Sequence, residues 1–221
     1  MSEINLQKVK DSIDVSEYLK KSDELLEAIG YTEHGTRHSK LVATISHNIL
    51  SRLNFSSREQ ELAAIAGYLH DIGNLVNRDR HSQIGAIIAF NLLSNLGMPA
   101  DEIGVIMSAI GNHEEEVGIP VNPISAAVIL ADKSDVHRTR VRNPKMVSFD
   151  IHDRVNYAVT HSFLDVDEEK AVITLDLKID TEISPVMEYF EIFLSRMAMC
   201  RRAAKILNCN FQLVANGVRL L

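Results

Sequence analysis

Tyr68-Leu69-His70-Asp71-Ile72-Gly73 closes an apolar run and sets a histidine beside an aspartate at the foot of an Ala/Leu/Ile-rich helix. Burying an imidazole and a carboxylate without partners is strongly unfavourable, and a bound cation is one partner that satisfies both. Just upstream, Ser56-Ser57-Arg58-Glu59 has the form of a capping box, in which serine and glutamate satisfy orphan amides at a helix start. The helix it opens runs through Leu62, Ile65, Ala66 and Leu69. Its three-and-four spacing predicts one shared face for positions 62, 66, 69, 70 and 73.

The same spacing recurs on both sides. Val15, Tyr18, Leu19, Leu25, Leu26 and Ile29 predict a helix stopped by Gly30. Leu41, Val42, Ile45, Ile49, Leu50 and Leu53 predict a second, with His38 in its first turn. Downstream, the polar loop Asn77-Arg78-Asp79-Arg80 leads into His81 and a helix from Ile84 to Leu96 that Gly97 closes. Pro99, tolerated in a first turn, opens a helix through Ile103, Ile106, Met107 and Ile110 that ends at Gly111-Asn112-His113. Glu114-Glu115-Glu116-Val117-Gly118-Ile119-Pro120 reads as a solvated turn, and Ile124 to Leu130 as a compact helix ending at Ala131-Asp132. Metal-competent side chains therefore sit repeatedly at helix ends, where a single bundle would bring them together.

Beyond Pro144 the texture changes. Ile173, Leu175, Leu177 and Ile179 alternate with polar residues, the mark of a half-buried strand. Val155 to Leu164 is a weaker strand, with Asp165-Val166-Asp167-Glu168-Glu169 as its hairpin turn. Pro185 to Leu207 reads as a long helix burying Val186, Tyr189, Phe190, Phe193, Leu194 and Met197, and Phe211, Leu213 and Ala215 as a last strand. The expected fold is mainly α: a helical bundle over residues 1–145, then a small α+β domain of β-β-α-β order over 146–221.

At 221 residues, 46% hydrophobic and 24% charged, the chain can build a sizeable core in one large domain or one plus a small one. A net charge of -7 with no Lys/Arg block leaves no footprint for a nucleic-acid polymer. Cys200 and Cys209 form no CxxC, so neither a disulfide framework nor a zinc knuckle is expected. No apolar run approaches the roughly 18 residues of a membrane span. Met1-Ser2-Glu3-Ile4 lacks the basic-then-apolar form of a signal peptide. The expectation is a cytoplasmic protein without a membrane partner.

In chain order the candidate ligands are His38, His70, Asp71, His81, His113 and Asp132. Imidazole and carboxylate together suit Fe, Mn, Zn or Ni. His38, His70, Asp71 and Asp132 would hold one ion. Adding His81 and His113 makes a pair, with Asp71 between, able to clamp the attacking and leaving oxygens of a phosphoryl transfer. Singly, each of these residues reads as a helix cap, a buried hydrogen bond or a surface histidine; the ordered set is what points to metal. His47, His137, His152 and His161 have no partner pattern and read as structural or surface residues.

The order His38 … His70-Asp71 … Asp132, with Ile72-Gly73 after the pair, resembles the HD-domain superfamily of metal-dependent phosphohydrolases over roughly residues 30 to 145. His81-Ser82-Gln83-Ile84-Gly85-Ala86 and Asn112-His113-Glu114 are similar to segments of the HD-GYP branch, which hydrolyses cyclic dinucleotides with two or three metals. That branch has paired histidines where this chain has Asn112-His113, and Gly-Tyr-Pro where it has Gly118-Ile119-Pro120. The six-ligand order with single histidines also resembles the mixed-valent di-iron HD-domain oxygenases. The resemblance implies an HD-type helical bundle holding one or two divalent transition-metal ions.

An acidic protein that handles a small phosphorylated substrate needs local positive charge. Arg138, Arg140 and Arg142 point to one side if their segment is extended, and guanidinium groups bind phosphate bidentately. A basic solvated strand fits the same alternation. Lys133 and Arg37 are further substrate-binding candidates, and His34, near His38, is a candidate for a supporting or substrate role. For proton transfer the carboxylates are Asp71 itself, Glu114 beside His113, and Asp135, one helical turn after Asp132. The expected function is a metal-dependent phosphomonoesterase or phosphodiesterase acting on a nucleotide or related metabolite. Behind it stand a signalling module with a structural metal and a tail that binds an effector, and then a di-iron oxygenase. The acidic tail hairpin fits either a homodimer interface or a cap over the pocket.

Overall fold

The computed structural model describes residues 3–115, 117–142 and 150–220. Glu116, Pro144 and the domain boundary expected at 145/146 lie outside the described residues. The bundle comprises α1 (Leu6–Lys10), α2 (Ile13–Ala28), α3 (Thr36–Arg52), α4 (Ser57–Leu69), α5 (His81–Leu96), α6 (Ala100–Gly111) and α7 (Pro123–Ser134). The short α1 is too brief to show a period in the sequence. Helix α4 is the axis of the bundle, with α1, α3, α6 and α7 packed around it. Every residue from Leu62 to Leu69 is consequently buried, which corrects the single buried face expected there: a helix surrounded by neighbours buries all its sides. The α3–α4 approach is close, since a Cβ on Gly67 would lie 3.1 Å from the Val42 carbonyl oxygen.

Local chemistry sets where α4 begins and ends. Ser56 Oγ accepts from the Glu59 amide while the Glu59 carboxylate accepts from the Ser56 amide, so the capping box forms. At the other end His70 caps the helix, and Asp71 opens a 3-10 turn over Ile72–Leu75. Gly73 lets this turn meet the start of α5 backbone to backbone. A Cβ there would lie 1.9 Å from the His81 carbonyl oxygen and 2.5 Å from the Gly85 amide nitrogen, closer than any side chain can sit.

The C-terminal part is α8 (Ile151–Ala158), β1 (Val159–Asp167), β2 (Val172–Ile179), α9 (Val186–Ile206), β3 (Asn210–Ala215) and β4 (Val218–Arg219). Its sheet has the order β1-β2-β3-β4, with β1/β2 and β3/β4 antiparallel and β2/β3 parallel across α9. Strand β2 buries Ile173, Leu175, Leu177 and Ile179 as the alternation predicts. Three expectations are corrected. Residues 151–158 are helical rather than the start of a strand, because the Asp150 carboxylate caps them by accepting from the His152 and Asp153 amides. Asp165 to Asp167 belong to β1, and the hairpin turns over residues 168–171. Leu194, expected inside α9, is exposed, as are Tyr18, Leu25 and Ile29 on and beside α2.

Helix α9 packs against α7 as well as β3, and β1 lies beside α3 and α7. The buried apolar side chains of bundle and sheet form one contiguous core. Among the described residues no helix is long and apolar enough to cross a membrane.

Candidate metal centre

Six buried polar side chains converge from the ends of five helices. His38 comes from the first turn of α3, His70 and Asp71 from the end of α4, His81 from the first residue of α5, His113 from just past α6, and Asp132 from the last turn of α7. None is more than 9% exposed. They fall into two sets. His38 Nε2 and His70 Nε2 are 3.2 Å apart. They lie 3.6 and 3.4 Å from Asp71 Oδ2, and 3.4 and 3.7 Å from Asp132 Oδ1. His81 Nε2 and His113 Nε2 are 3.1 Å apart, and lie 3.4 and 3.7 Å from the other Asp71 oxygen, Oδ1. Ligands held about 2.0–2.1 Å from a common ion stand roughly 3.0–3.4 Å from one another in octahedral or tetrahedral arrangements. Both sets approach that spacing, and Asp71 belongs to both.

The hydrogen bonds behind the rings test whether a cation fits. His70 Nδ1 donates to the Gly67 carbonyl at 2.8 Å, His81 Nδ1 to that of Arg78 at 2.9 Å, and His113 Nδ1 to that of Ile110 at 2.6 Å. His38 Nδ1 donates to Asp135 Oδ2 at 2.7 Å. Carbonyl and carboxylate oxygens accept, so each Nδ1 carries a proton, and each ring in its neutral form turns a bare Nε2 lone pair inward. Two pairs of facing lone pairs, with carboxylate oxygens among them, repel one another unless something positive lies between. Ligand histidines fixed from behind in this way are the usual support of a metal site.

The electrostatics show the same need for positive charge among these groups. Burial opposes charge on His70, but Asp71 and Asp132 outweigh it and lift the imidazolium to about 10. Burial pushes His113 down to about 4. Asp71 stays well below the usual carboxylate range despite its burial, held there chiefly by His70, and Asp132 likewise, held chiefly by Lys133. A proton on His70 thus does part of what a metal ion would do.

The other expected site residues separate into groups. Asp135 stands behind His38; against its burial, Arg140, His38 and Arg37 keep it ionised. Arg37 reaches Asp135 with Nη1 at 3.3 Å and Nη2 at 2.9 Å from the far side. Glu114 stands behind His81, accepting from Ser82 Oγ at 2.8 Å. Asp135 therefore braces a ligand directly, whereas Glu114 holds the residue after one and comes no nearer His81 Nδ1 than 3.8 Å. Lys133 is buried, with Nζ 2.7 Å from Asp132 Oδ2 and 3.1 Å from Glu115 Oε1. The extended Arg138-to-Arg142 segment is corrected: Arg138–Arg140 form a 3-10 turn that the His137 ring caps by accepting from the Thr139 amide. Arg138 lies over the Tyr157 ring, and Arg142 turns away to Asp23 and the Tyr31 carbonyl.

A cavity of about 480 Å³ lies beside the centre, lined in part by His34, Arg78, Glu115, Arg140, Phe193 and Arg196. It adjoins both sets: the His34 ring is 5.5 Å from that of His38, and Arg78 Nη1 is 3.7 Å from Asp71 Oδ1. Arg140 is buried in its wall, donating to the carbonyls of Glu33 and Asp135. None of the six ligands lines this cavity or a larger one of about 590 Å³ between α3 and β1; the smaller is the one tied to both sets, through His34 and Arg78. Arg78, Glu115 and Arg196 are not among the site residues expected from the sequence. Arg78 and Glu115 look like solvated loop residues there. Arg196 does leave a signal, a charge lying between Phe193 and Met197 on the buried stripe of α9.

The family model for the HD domain matches residues 35–139, just under half of the chain and the stretch that holds all six ligands. Among curated proteins nothing matches the chain.

Proposed function

Residues 35–139 belong to the HD-domain family, and from that premise we propose that the chain is a metal-dependent phosphohydrolase cleaving a phosphate ester of a nucleotide or related small metabolite. The observation that carries this reading is the two-sided carboxylate of Asp71, with Oδ2 toward His38 and His70 and Oδ1 toward His81 and His113. His38, His70, Asp71 and Asp132 would hold one ion, and Asp71, His81 and His113 a second. Divalent cations held there would supply Lewis acidity that polarises a phosphoryl oxygen and acidifies water, chemistry suited to phosphate-ester hydrolysis.

The chain's own groups supply orientation and charge. Arg78 sets a guanidinium beside Asp71, with its Nη1 also donating to Asn74 Oδ1 at 3.1 Å. Arg140, anchored on carbonyls, adds a fixed and buried positive charge to the wall. His34 donates from Nδ1 to the Thr32 carbonyl at 2.7 Å, which leaves Nε2 as an acceptor in the cavity wall. Burial first, then Arg140, holds this imidazole well below its usual range. It is therefore neutral, and Nε2 offers a hydrogen-bond acceptor that orients a donor in the cavity, while the same burial and positive charge make it a weak base.

Phosphate release from a panel of nucleotides by Mn²⁺-loaded protein is the test, with excess EDTA expected to abolish it. Undiminished turnover by metal-free protein overturns the reading. Oxygen uptake by protein carrying two irons, without phosphate release, would assign the same ligands to an oxygenase. Retained metal with no hydrolysis of any phosphoester would assign them to an effector-binding module.

A further inference from the structure

The cavity beside the centre is closed from one side by the C-terminal part of the chain, and α9 brings a guanidinium to it. Arg196 is held in two ways that leave its forked edge open. Its Nε donates to Glu115 Oε1 at 2.9 Å, and its Cζ lies 4.1 Å from the centroid of the Phe193 ring. The ring is itself propped edge-on by Tyr189 at 5.1 Å. A guanidinium laid on an aromatic face keeps its in-plane donors for an anion. Both Nη groups of Arg196 lack a hydrogen-bond partner among the described residues.

Its place relative to the metal ligands gives this donor a role. Arg78 lies within ion-pair reach of Asp71 itself. Arg196 lies at the end of a chain that runs from Asp132 to Lys133 (2.7 Å), to Glu115 (3.1 Å), to Arg196 (2.9 Å). The cavity wall thus carries Arg78 beside the ligands, Arg140 tied to carbonyls, and Arg196 linked to Asp132 only through Lys133 and Glu115. Asp150 and Asp153 also line it. Asp150 is engaged as the cap of α8, and neither carboxylate is within ion-pair reach of Arg78 or Arg196 among the described residues.

We propose that Arg196 reads a second phosphoryl group, so that the preferred substrates of this cavity carry two linked phosphoryl groups rather than one on a neutral leaving group. The proposal rests on the phosphohydrolase reading and deepens it. Arg196 would determine specificity, whereas an arginine that merely stapled α9 to the loop after His113 would lower stability on replacement without changing which anion binds.

The test is calorimetric titration of the Mn²⁺-loaded full chain with imidodiphosphate and with orthophosphate, comparing wild type with Arg196→Gln and Arg196→Lys. A bidentate charge-assisted contact predicts that Arg196→Gln loses about tenfold or more in imidodiphosphate affinity and less than about twofold for orthophosphate. Arg196→Lys, which keeps the charge and loses the fork, should recover part of the difference. Should Arg196→Gln fail to fold, Phe193→Leu removes the ring under the guanidinium and should show the same selective loss. Equal losses for both anions, or none, overturn the proposal and leave the phosphohydrolase reading standing. Binding of neither anion to the wild type overturns both.

Discussion

At the residue scale the centre depends on one carboxylate with two loyalties. Asp71→Asn keeps the shape but turns an amide NH₂ toward one histidine pair, where a donor replaces an acceptor. Metal analysis should fall from about two ions per chain to one or fewer, with phosphate release lost alongside. Asp135 acts one bond further back, fixing the His38 ring through Nδ1. Asp135→Asn should weaken metal affinity about 10–100-fold without changing the number of ions at saturation, as seen by competition with a chelating dye. Cys200, buried in α9, has its thiol pushed up to about 12, with burial as the largest cause. Its folded pKa lies above the roughly 8.5 of a free thiol, so above that pH the unfolded state releases a proton the native state keeps. Its contribution is complete below about pH 8.5 and is lost toward pH 12, at about 1.4 kcal/mol per pH unit. Urea unfolding of wild type and Cys200→Ala between pH 8 and 11 should show the wild type falling more steeply.

Elements decide how these residues meet. The Ser56 cap starts α4 at its place, and Ser56→Ala should cost about 1 kcal/mol in denaturant unfolding with the metal count unchanged. Gly73 has a sharper role. A methyl group there collides with the His81 carbonyl oxygen, and backbone cannot step aside as a long side chain would. Gly73→Ala should separate the 3-10 turn from α5, carry His81 away from Asp71 Oδ1, and remove the second ion while His38, His70 and Asp132 keep the first. Metal titration would then saturate one ion lower, and full occupancy of both positions would contradict this account of the turn. The helices of the bundle were legible in the sequence because each has a long apolar period and a recognisable start or stop. Helix α8 was not, because eight residues with a mixed pattern carry less signal than the Asp150 cap that makes them helical.

For the whole molecule the single contiguous core makes one cooperative unit the expectation. Calorimetry should show one unfolding transition, and loading metal at about a hundredfold above its Kd should stabilise it by about 2.7 kcal/mol for each ion bound. Two peaks, only one of them moved by metal, would show that the C-terminal sheet unfolds apart from the bundle. The sheet contributes to the site through α9, whose packing against α7 carries Phe193 and Arg196 to the cavity beside the centre.

The amino-acid order by itself determined the helical bundle, the alternating strand, and all six side chains that the fold gathers, since each is marked by local spacing or by a polar residue at the end of an apolar run. The sequence left open whether Asp71 lies between two ligand pairs, and the tertiary structure turns one of its oxygens toward each. It also turned Asp135 into a brace for His38, tied Glu114 to Ser82, sent Arg138 and Arg142 elsewhere, and brought Arg78 and Arg196 to one cavity. Those outcomes depend on how helix ends far apart in sequence are angled and how closely backbones approach, as at Gly73. Periodicity along the chain records which face of an element is buried, and carries no information about which distant side chain that face will meet.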